Sequence, residues 1–566
     1  MKVLGINFLS ESSVSLIENG KLKYAISEER LNRIKNWYGI PFKSIQHVLK
    51  ETGNSIKDIN YFAGVGLSAY SKDTPDLNNF DEKENLIKNS NLSKKQKLIQ
   101  SSFLKKRLIH ERHVIEKRTL SDLQKIKKKF NNLLVYDHHT AHAASAAYSS
   151  GWKDCYVLTI DGWGDNSSSK LFNFYNGSFE LISSSATIDS LGYFYGSITK
   201  LLGFKPHQHE GKILGLAAHG NYKVAYKEIS KMISFDSNKN SFIGNIEKGL
   251  YLPTFENKNL HKIRDKYKRE DICAATQKVL EDVVIKFIKN IKKKKIKLAL
   301  AGGIFANVKL NQKILELRNI KDIYVFPNMG DGGLSYGAAA LCYYQNNKYT
   351  PKRLNSVYLG PQYNTSYIEK ILIKKKLNFI KFKNPEKEIS KKISEGKVVA
   401  IFQGRMEFGP RSLGNRSILC QAIDPNINQS LNKKLNRTEF MPFAPVTLEE
   451  FRKKFYIINK GFRNLKFMTI TSNCTSLMKK KSPAAVHVDG TARPQLVNKK
   501  DNPILHKIIK NYYQITGIPN LINTSYNMHE EPIICSPEDA IRAFKESKID
   551  YLFIDKYIVA QHEYWI

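Results

Sequence analysis

The stretch YDHHTAHAASAAYSS, residues 136–150, decides how this chain is read. It sets His138, His139 and His142 at the head of an alanine-rich run, where a helix begins. On a helix, His138 and His142 stand four residues apart and stack on one face. His139 is turned away from that face by about 100°, and either reaches a substrate or packs. Two imidazoles on one face can chelate a divalent metal, but an isolated HxxxH is also a common capped or core pair. Oxygen ligands would have to come from nearby loops. Asp161 ends the strand-like run YVLTID, and Asp331 sits in NMGDGG after another strand. Two His and two Asp make a mixed nitrogen and oxygen set suited to Fe, Mn or Zn. The same aspartates could simply stabilise turns. Spacing alone leaves both readings open.

Outward from this stretch the pattern is α/β. Residues 2–26 read as a hairpin, with Asn19-Gly20 as the turn between alternating apolar runs. Downstream of the histidines come YVLTID (156–161), a turn GWGDNSS and a strand SKLFNFY. A helix is expected over about 271–295, with Ile272, Val279, Val283, Phe287 and Ile291 at helical spacing and a lysine run at its negative pole. KLALAGG then leads into the helix NVKLNQKILEL, and DIYVFP with NMGDGG leads into SYGAAALCYY. Turns rich in glycine and aspartate thus recur at strand ends, where α/β folds gather ligands. Turn residues mark a border near 345–365, and a second α/β unit follows. Residues 80–130 read as a polar, basic, helical excursion.

Bulk properties narrow the class. A chain of 566 residues is too long for one core. No apolar run is long enough for a membrane span, and the start lacks the features of a signal peptide. Six scattered cysteines without a CxxC argue for reduced thiols in a cytoplasm, and against a disulfide framework or a thiolate zinc site. The formal net charge of +38 would suit a polyanion, but the lysines are spread along the chain and seldom interleave with aromatics. A solvated basic surface explains the charge, so nucleic acid is not the expected partner.

The segments GIN…SSVSLIENG, EERLNRIK, DHHTAHAASAAY, TIDGWGD, EGKILGLAAHG, AGGIFANVKLN, MGDGGLSYGAA, QGRMEFGPRSLGNRSIL, RTEFMPFAPV, HVDGTARPQ and GIPNLINTSYN follow one another along the chain. In that order they resemble the NodU/TobZ carbamoyltransferase family, everywhere except about 65–130. The resemblance implies an actin/Hsp70-like (ASKHA) N-terminal domain over 1–350, similar to the tRNA-threonylcarbamoyl transferase. A linker at 351–365 and a YrdC-like α/β domain over 366–566 would follow. It further implies Fe(2+), or another divalent metal, on His138, His142, Asp161 and Asp331. The implied reaction makes carbamoyl-adenylate from Mg-ATP and carbamoyl phosphate, then passes the carbamoyl group to a hydroxyl of a sugar, glycan or other small natural product.

Both co-substrates are polyanions and need fixed cations, best supplied by forked guanidiniums. With the resemblance, Arg405, Arg437 and Arg493 are assigned to carbamoyl phosphate, aided by Asn523, while Arg411 and Arg416 are candidates to brace their loop. Gly164, Lys212, Gly302, Gly303, Asn307 and Gly330 are assigned to the nucleotide, through backbone amides and a helix N-terminus. His139 and Lys35 are the catalytic candidates and Ser10 the contact to the acceptor. Two departures stand out. The family's first hairpin carries a His-Asp pair where this chain has Ser10-Glu11, and a basic residue before PFAP is replaced by Met441. The first puts acceptor identity and the catalytic base in doubt.

Two other functions compete with this reading. A tRNA-modifying threonylcarbamoyl-type transferase would suit the charge, but the C-terminal signatures belong to enzymes acting on small molecules. A non-catalytic nucleotide-binding sensor would show an eroded ligand set, and this set is complete. A homodimer is the candidate assembly.

Overall fold

The computed structural model describes residues 1–66, 130, 132–165, 167–245, 258–436 and 440–561, with scattered positions between 84 and 105. The expected excursion at 80–130 therefore lies almost wholly outside the described residues. The architecture is mixed α/β, in two compact units. The first comprises Met1–Leu22, Tyr38–Pro41 and Asn54–Arg353, and the second Lys23–Trp37, Phe42–Gly53 and Leu354–Ile566. The later division between the units follows Arg353. The early pieces differ from the expected 1–350 domain, because residues 23–37 and 42–53 pack with the second unit. Arg30 donates to the Gly409 carbonyl at 3.1 Å, and Arg33 to the Ile533 and Pro532 carbonyls at 2.7 Å each. Such long-range partners leave no local trace in sequence.

One sheet has the order β3-β2-β1-β4-β5, formed by β1 (Lys2–Asn7), β2 (Ser13–Glu18), β3 (Lys21–Ser27), β4 (Tyr61–Val65) and β5 (Leu133–Tyr136). Asn19 and Gly20 between β2 and β3 have φ of 48° and 71°, the left-handed pair that a two-residue hairpin turn requires. A second sheet of the first unit has the order β12-β11-β6-β7-β8. Its strands are β6 (Asp154–Gly164), β7 (Ser167–Tyr175), β8 (Ser178–Ala186), β11 (Ile296–Ala301) and β12 (Ile320–Val325), and a small hairpin of β9 (Ile233–Asp236) and β10 (Ser241–Gly244) stands apart. β6, β11 and β12 run parallel, so their C-terminal ends share one edge.

Two helices lie between the sheets. The first, α1 (His138–Ser150), packs on β6 and β11, while α5 (Leu334–Gln345) packs on β1, β2 and β4 and against α1. Small residues make this possible. A Cβ on Gly337 would lie 1.9 Å from the Ala141 carbonyl oxygen, and one on Gly5 would lie 1.8 Å from that of Ser335. The alanine run behind the histidines is thus the price of a close helix crossing.

Between them in sequence lie α2 (Leu191–Leu201), α3 (Arg269–Lys289) and α4 (Val308–Glu316). α3 buries Ile272, Val279, Val283 and Phe287 as the periodicity predicts. It ends at Lys289 with Asn290 as its cap, so Lys292–Lys295 lie beyond it rather than at its pole. Ile291 and Ile296 are both buried, and the four lysines between them are exposed, so the chain leaves the helix to insert each isoleucine.

In the second unit an eight-stranded mixed sheet has the order β13-β23-β22-β14-β15-β21-β16-β20. The strands are β13 (Phe379–Lys381), β14 (Val399–Phe402), β15 (Arg416–Cys420), β16 (Ala444–Leu448), β20 (Gln495–Val497), β21 (Asn520–Ser525), β22 (Tyr551–Ile554) and β23 (Tyr557–Ala560). Helices α6 (Pro385–Ser394) and α7 (Pro503–Thr516) bury Ile389, Ile393, Leu505, Ile508 and Ile509 against it. A three-stranded sheet of β17 (Tyr456–Ile457), β18 (Ser472–Cys474) and β19 (Thr491–Ala492) completes the unit. All six cysteines are buried and unpaired in disulfides.

Candidate active site

The site of the first unit is built on the first turn of α1. Asp137 caps it, its side chain accepting from the Thr140 amide at 2.8 Å and the Thr140 hydroxyl at 2.7 Å. Asp165 accepts from the His138 amide at 2.7 Å, which satisfies another donor of the free helix end. With the turn fixed, both imidazoles face the strand ends. His142 Nε2 lies 3.0 Å from Asp161 Oδ2 and 3.4 Å from Asp331 Oδ1. His138 Nε2 lies 3.7 Å and 3.5 Å from the same two oxygens. One ligand atom from each residue falls within 4.8 Å of the others.

The residues fit a metal ion. The histidine side chains are at most 2% exposed, and the aspartates keep 17% and 18%, so the cluster opens on its carboxylate side. Both ring nitrogens of His138 and Nδ1 of His142 are buried without a hydrogen-bond partner. Buried orphans of that kind call for an unseen partner. Ligand atoms spaced like these surround an ion at about 2.0–2.2 Å. Burial opposes charge on Asp161, but the imidazoles of His138 and His142 outweigh it and hold this carboxyl well below its usual range. Burial, and then the charge of Asp161, push Asp331 well above its usual range. A cation is what would let both acids ionise together.

Glycines clear the space. A Cβ on Gly164 would fall 2.1 Å from Cδ2 of His138, so only glycine lets β6 pass that ring. A Cβ on Gly303 would meet Asp161 Oδ1 at 3.1 Å, and one on Gly302 (φ 102°) the Ile160 carbonyl oxygen at 2.2 Å. Two of the glycines assigned to a nucleotide, Gly164 and Gly303, thus also make room for His138 and Asp161, and Gly302 lets the chain pass the Ile160 backbone. The expected turn GWGD is instead a continuation of β6 through Gly164, with a register shift after Ile160.

Other assignments fare differently. His139 is fully buried, with Nδ1 2.9 Å from the Thr159 hydroxyl and Nε2 donating to the Ser167 carbonyl at 3.0 Å. Burial pushes its pKa down to about 3. Both nitrogens are engaged within the fold, the arrangement that the packing alternative describes. Lys35 is exposed and belongs to the second unit. Ser10 is half-buried and its carbonyl accepts from Asn7 at 2.8 Å. Lys212 is buried, its ammonium 5.6 Å from the centre of the Phe204 ring. Asn307 caps α4, accepting from the Leu310 amide at 3.0 Å, and donates to Gln277 at 2.8 Å. Gly330 packs on Glu11, as a Cβ there would lie 2.9 Å from Glu11 Oε2.

In the second unit Arg405 donates to the carbonyls of Gly360 (3.2 Å), Lys23 (3.0 Å) and Leu359 (2.5 Å) and lies over the Tyr24 ring. These bonds brace the guanidinium against the backbone of residues 359–360 and Lys23. Arg416 is wholly buried and donates to the carbonyls of Gln403, Gly404, Asn415 and Pro361. Arg493 is half-buried between β19 and β20. Arg437 lies outside the described residues. Asn523 on β21 donates to Ser412 O and Gln495 Oε1, while its own Oδ1 is buried without a partner. Ser412 Oγ and Gln403 Oε1 are unpartnered in the same way.

Sequence reasoning missed Asp165, which stands in the quoted GWGD, and a polar network inside α3. There Gln277 joins Tyr195, Glu281 and Asn307. A glutamine among the buried positions of an amphipathic helix was the available signal.

Residues 2–340 match the model of the carbamoyltransferase N-terminus, and residues 390–561 that of the carbamoyltransferase C-terminus. This chain belongs to the carbamoyltransferase family. Among its relatives, uncharacterized protein MJ1058 of Methanocaldococcus jannaschii is 37% identical over 77% of this chain and 75% of its own. Uncharacterized protein MJ1051 of the same organism is 33% identical over 99% of both. Nodulation protein NolNO of Sinorhizobium fredii is 29% identical over 98% of this carbamoyltransferase and 79% of its own length. The enzyme is therefore a transferase of carbamoyl groups. Among the described residues, no helix of this carbamoyltransferase is long and apolar enough to cross a membrane.

Proposed function

We propose that the enzyme is an ATP-dependent O-carbamoyltransferase acting on a hydroxyl of a sugar or other small natural product. The first unit is read as actin/Hsp70-like and the second as YrdC-like. Water hydrolyses carbamoyl phosphate to carbamate and phosphate, and the carbamate oxygen attacks the α-phosphorus of Mg-ATP with pyrophosphate leaving. The acceptor oxygen then attacks the carbamoyl carbon of the adenylate, and AMP leaves. The observation that carries this reading is the cluster of His138, His142, Asp161 and Asp331, in which both ring nitrogens of His138 and Nδ1 of His142 are buried without a hydrogen-bond partner.

These four residues would hold a divalent metal, and Fe(2+) suits their donor set. Bound there, the metal supplies Lewis-acid polarisation of the carbamoyl oxygen. The chain's own part is preorganisation. Asp165 and Asp137 hold the helix turn, and Gly164 and Gly303 leave room for His138 and Asp161. In the second unit the unpartnered oxygens of Asn523, Ser412 and Gln403 support a polar ligand there. Carbamoyl phosphate, held with Arg493 and Arg437, is the reading that fits.

The test is incubation with ATP, carbamoyl phosphate and Mg2+, following pyrophosphate release with and without Fe2+. Pyrophosphate release dependent on carbamoyl phosphate is expected. No adenylate with any metal would refute the mechanism. Carbamoylation of added tRNA rather than of small hydroxyl compounds would move the acceptor class to nucleic acid.

A further inference from the structure

The loop between β1 and β2 reaches the turn that carries Asp331. Asn7 Nδ2 donates to the Asp331 carbonyl at 2.9 Å and to the Ser10 carbonyl at 2.8 Å. Ser13 Oγ donates to the Gly332 carbonyl at 2.8 Å. Glu11 closes the loop from the other side, Oε2 accepting from the Gly332 amide at 3.0 Å. The contact is close by construction, because a Cβ on Gly330 would stand 2.9 Å from that oxygen. Glu11 itself has φ 49°, a left-handed backbone that a glutamate adopts only when its surroundings enforce it. The carboxylate thus receives an amide directly after Asp331, in the short 3₁₀ turn Asp331–Gly333.

We propose that Glu11 is a positioning residue, which fixes the turn of Asp331 so that its carboxylate meets the two histidines. This rests on reading the His138, His142, Asp161, Asp331 cluster as a metal site. A charge-assisted bond to a backbone amide is short and directional, and partners behind the ligands are the groups that set ligand orientation. Asn7 and Ser13 hold the carbonyls of the turn, whereas Glu11 is the tether on its amide side. The chain therefore uses this position of the hairpin for the geometry of the metal ligand, not for contact with the acceptor.

The test titrates Co2+ into the full-length protein by calorimetry, reading its visible absorption as well. It compares the wild type with Glu11→Gln, Glu11→Asp and Glu11→Ala, with thermal unfolding of each metal-free protein as the check on folding. The glutamine oxygen can still accept from Gly332, so Glu11→Gln is expected to keep affinity and spectrum close to wild type. Aspartate keeps the charge but is one methylene short, and alanine keeps neither. Both are expected to bind Co2+ about 10–100-fold more weakly, with a changed spectrum. Glu11→Ala binding like wild type would overturn the proposal, as would Glu11→Gln losing as much as Glu11→Asp. If the wild type takes up no Co2+, the metal reading itself falls. If the wild type and Glu11→Ala bind alike, only the role of Glu11 does.

Discussion

Gly164→Ala puts the proposed metal site under the most direct strain. The added methyl would stand 2.1 Å from Cδ2, 2.2 Å from Cγ and 2.6 Å from Nε2 of His138. Carbon atoms in contact sit about 3.5–4.0 Å apart, so the ring must retreat by roughly 1.4–1.9 Å or β6 must bend. His138 is 1% exposed and has nowhere to go. Overpacking of this kind costs about 1–3 kcal/mol, which should lower Tm by a few degrees. The larger effect falls on the metal, since ligand distances tolerate only about ±0.2 Å. At least about tenfold weaker binding is expected, comparable with losing a supporting group. The assay pairs calorimetric titration of a divalent metal with thermal unfolding of the metal-free protein. Gly162→Ala, two residues away on the same strand, is the control, because a Cβ there meets nothing within 4 Å. Gly164→Ala binding metal as tightly as wild type would refute the reasoning, and so would equal losses in the two variants.

Further outcomes follow from other contacts. His142→Ala should lower bound metal and carbamoyl transfer while leaving pyrophosphate release intact, and equal loss of both half-reactions in a coupled assay would contradict that division. His139 has its pKa lowered by burial to about 3, so the unfolded chain binds the extra proton first as pH falls. Its contribution should therefore fade below about pH 6.5, by at most about 1.4 kcal/mol per pH unit. Urea unfolding at pH 7 and pH 5 should show a shallower pH dependence in His139→Gln than in wild type. Arg416→Met strands buried carbonyls of Gln403 and Pro361, and about 3 kcal/mol or more of stability should be lost in denaturant unfolding. A change within 0.5 kcal/mol, the scale of a neutral surface substitution, would show that Arg416 does not brace its loop.

How much of this was legible in sequence differs from residue to residue. The Asn19-Gly20 turn and the burial stripe of α3 were plain, because local backbone preference and periodicity encode them. The pairing of His138 with His142 was visible as spacing, but bringing Asp331 to within 3.5 Å of them depends on β12 lying in the same sheet as β6. The basic residues were hardest to read. Arg405 and Arg416 stand in a glycine-rich stretch that looks shaped for an anion, and in the fold both donate to backbone carbonyls. Residue type cannot separate a phosphate from a carbonyl as the acceptor, since a guanidinium serves both. His139 was ambiguous for the opposite reason: its partner carbonyl comes from Ser167 on a neighbouring strand, 28 residues away.

The second unit is assembled from both ends of the chain, and this sets a timetable for synthesis. Residues 23–37 and 42–53 leave the ribosome about 300 residues before their partners, which begin only at Leu354. At about 5–20 residues per second, those segments wait roughly 15–60 s before the rest of their unit exists. The helix Phe42–Glu51 buries Ile45, Val48 and Leu49 in the finished fold, so during that interval an apolar face is without its final cover. A fragment starting at residue 354 would lack these pieces from the outset, which makes it a poor stand-in for the unit it omits them from.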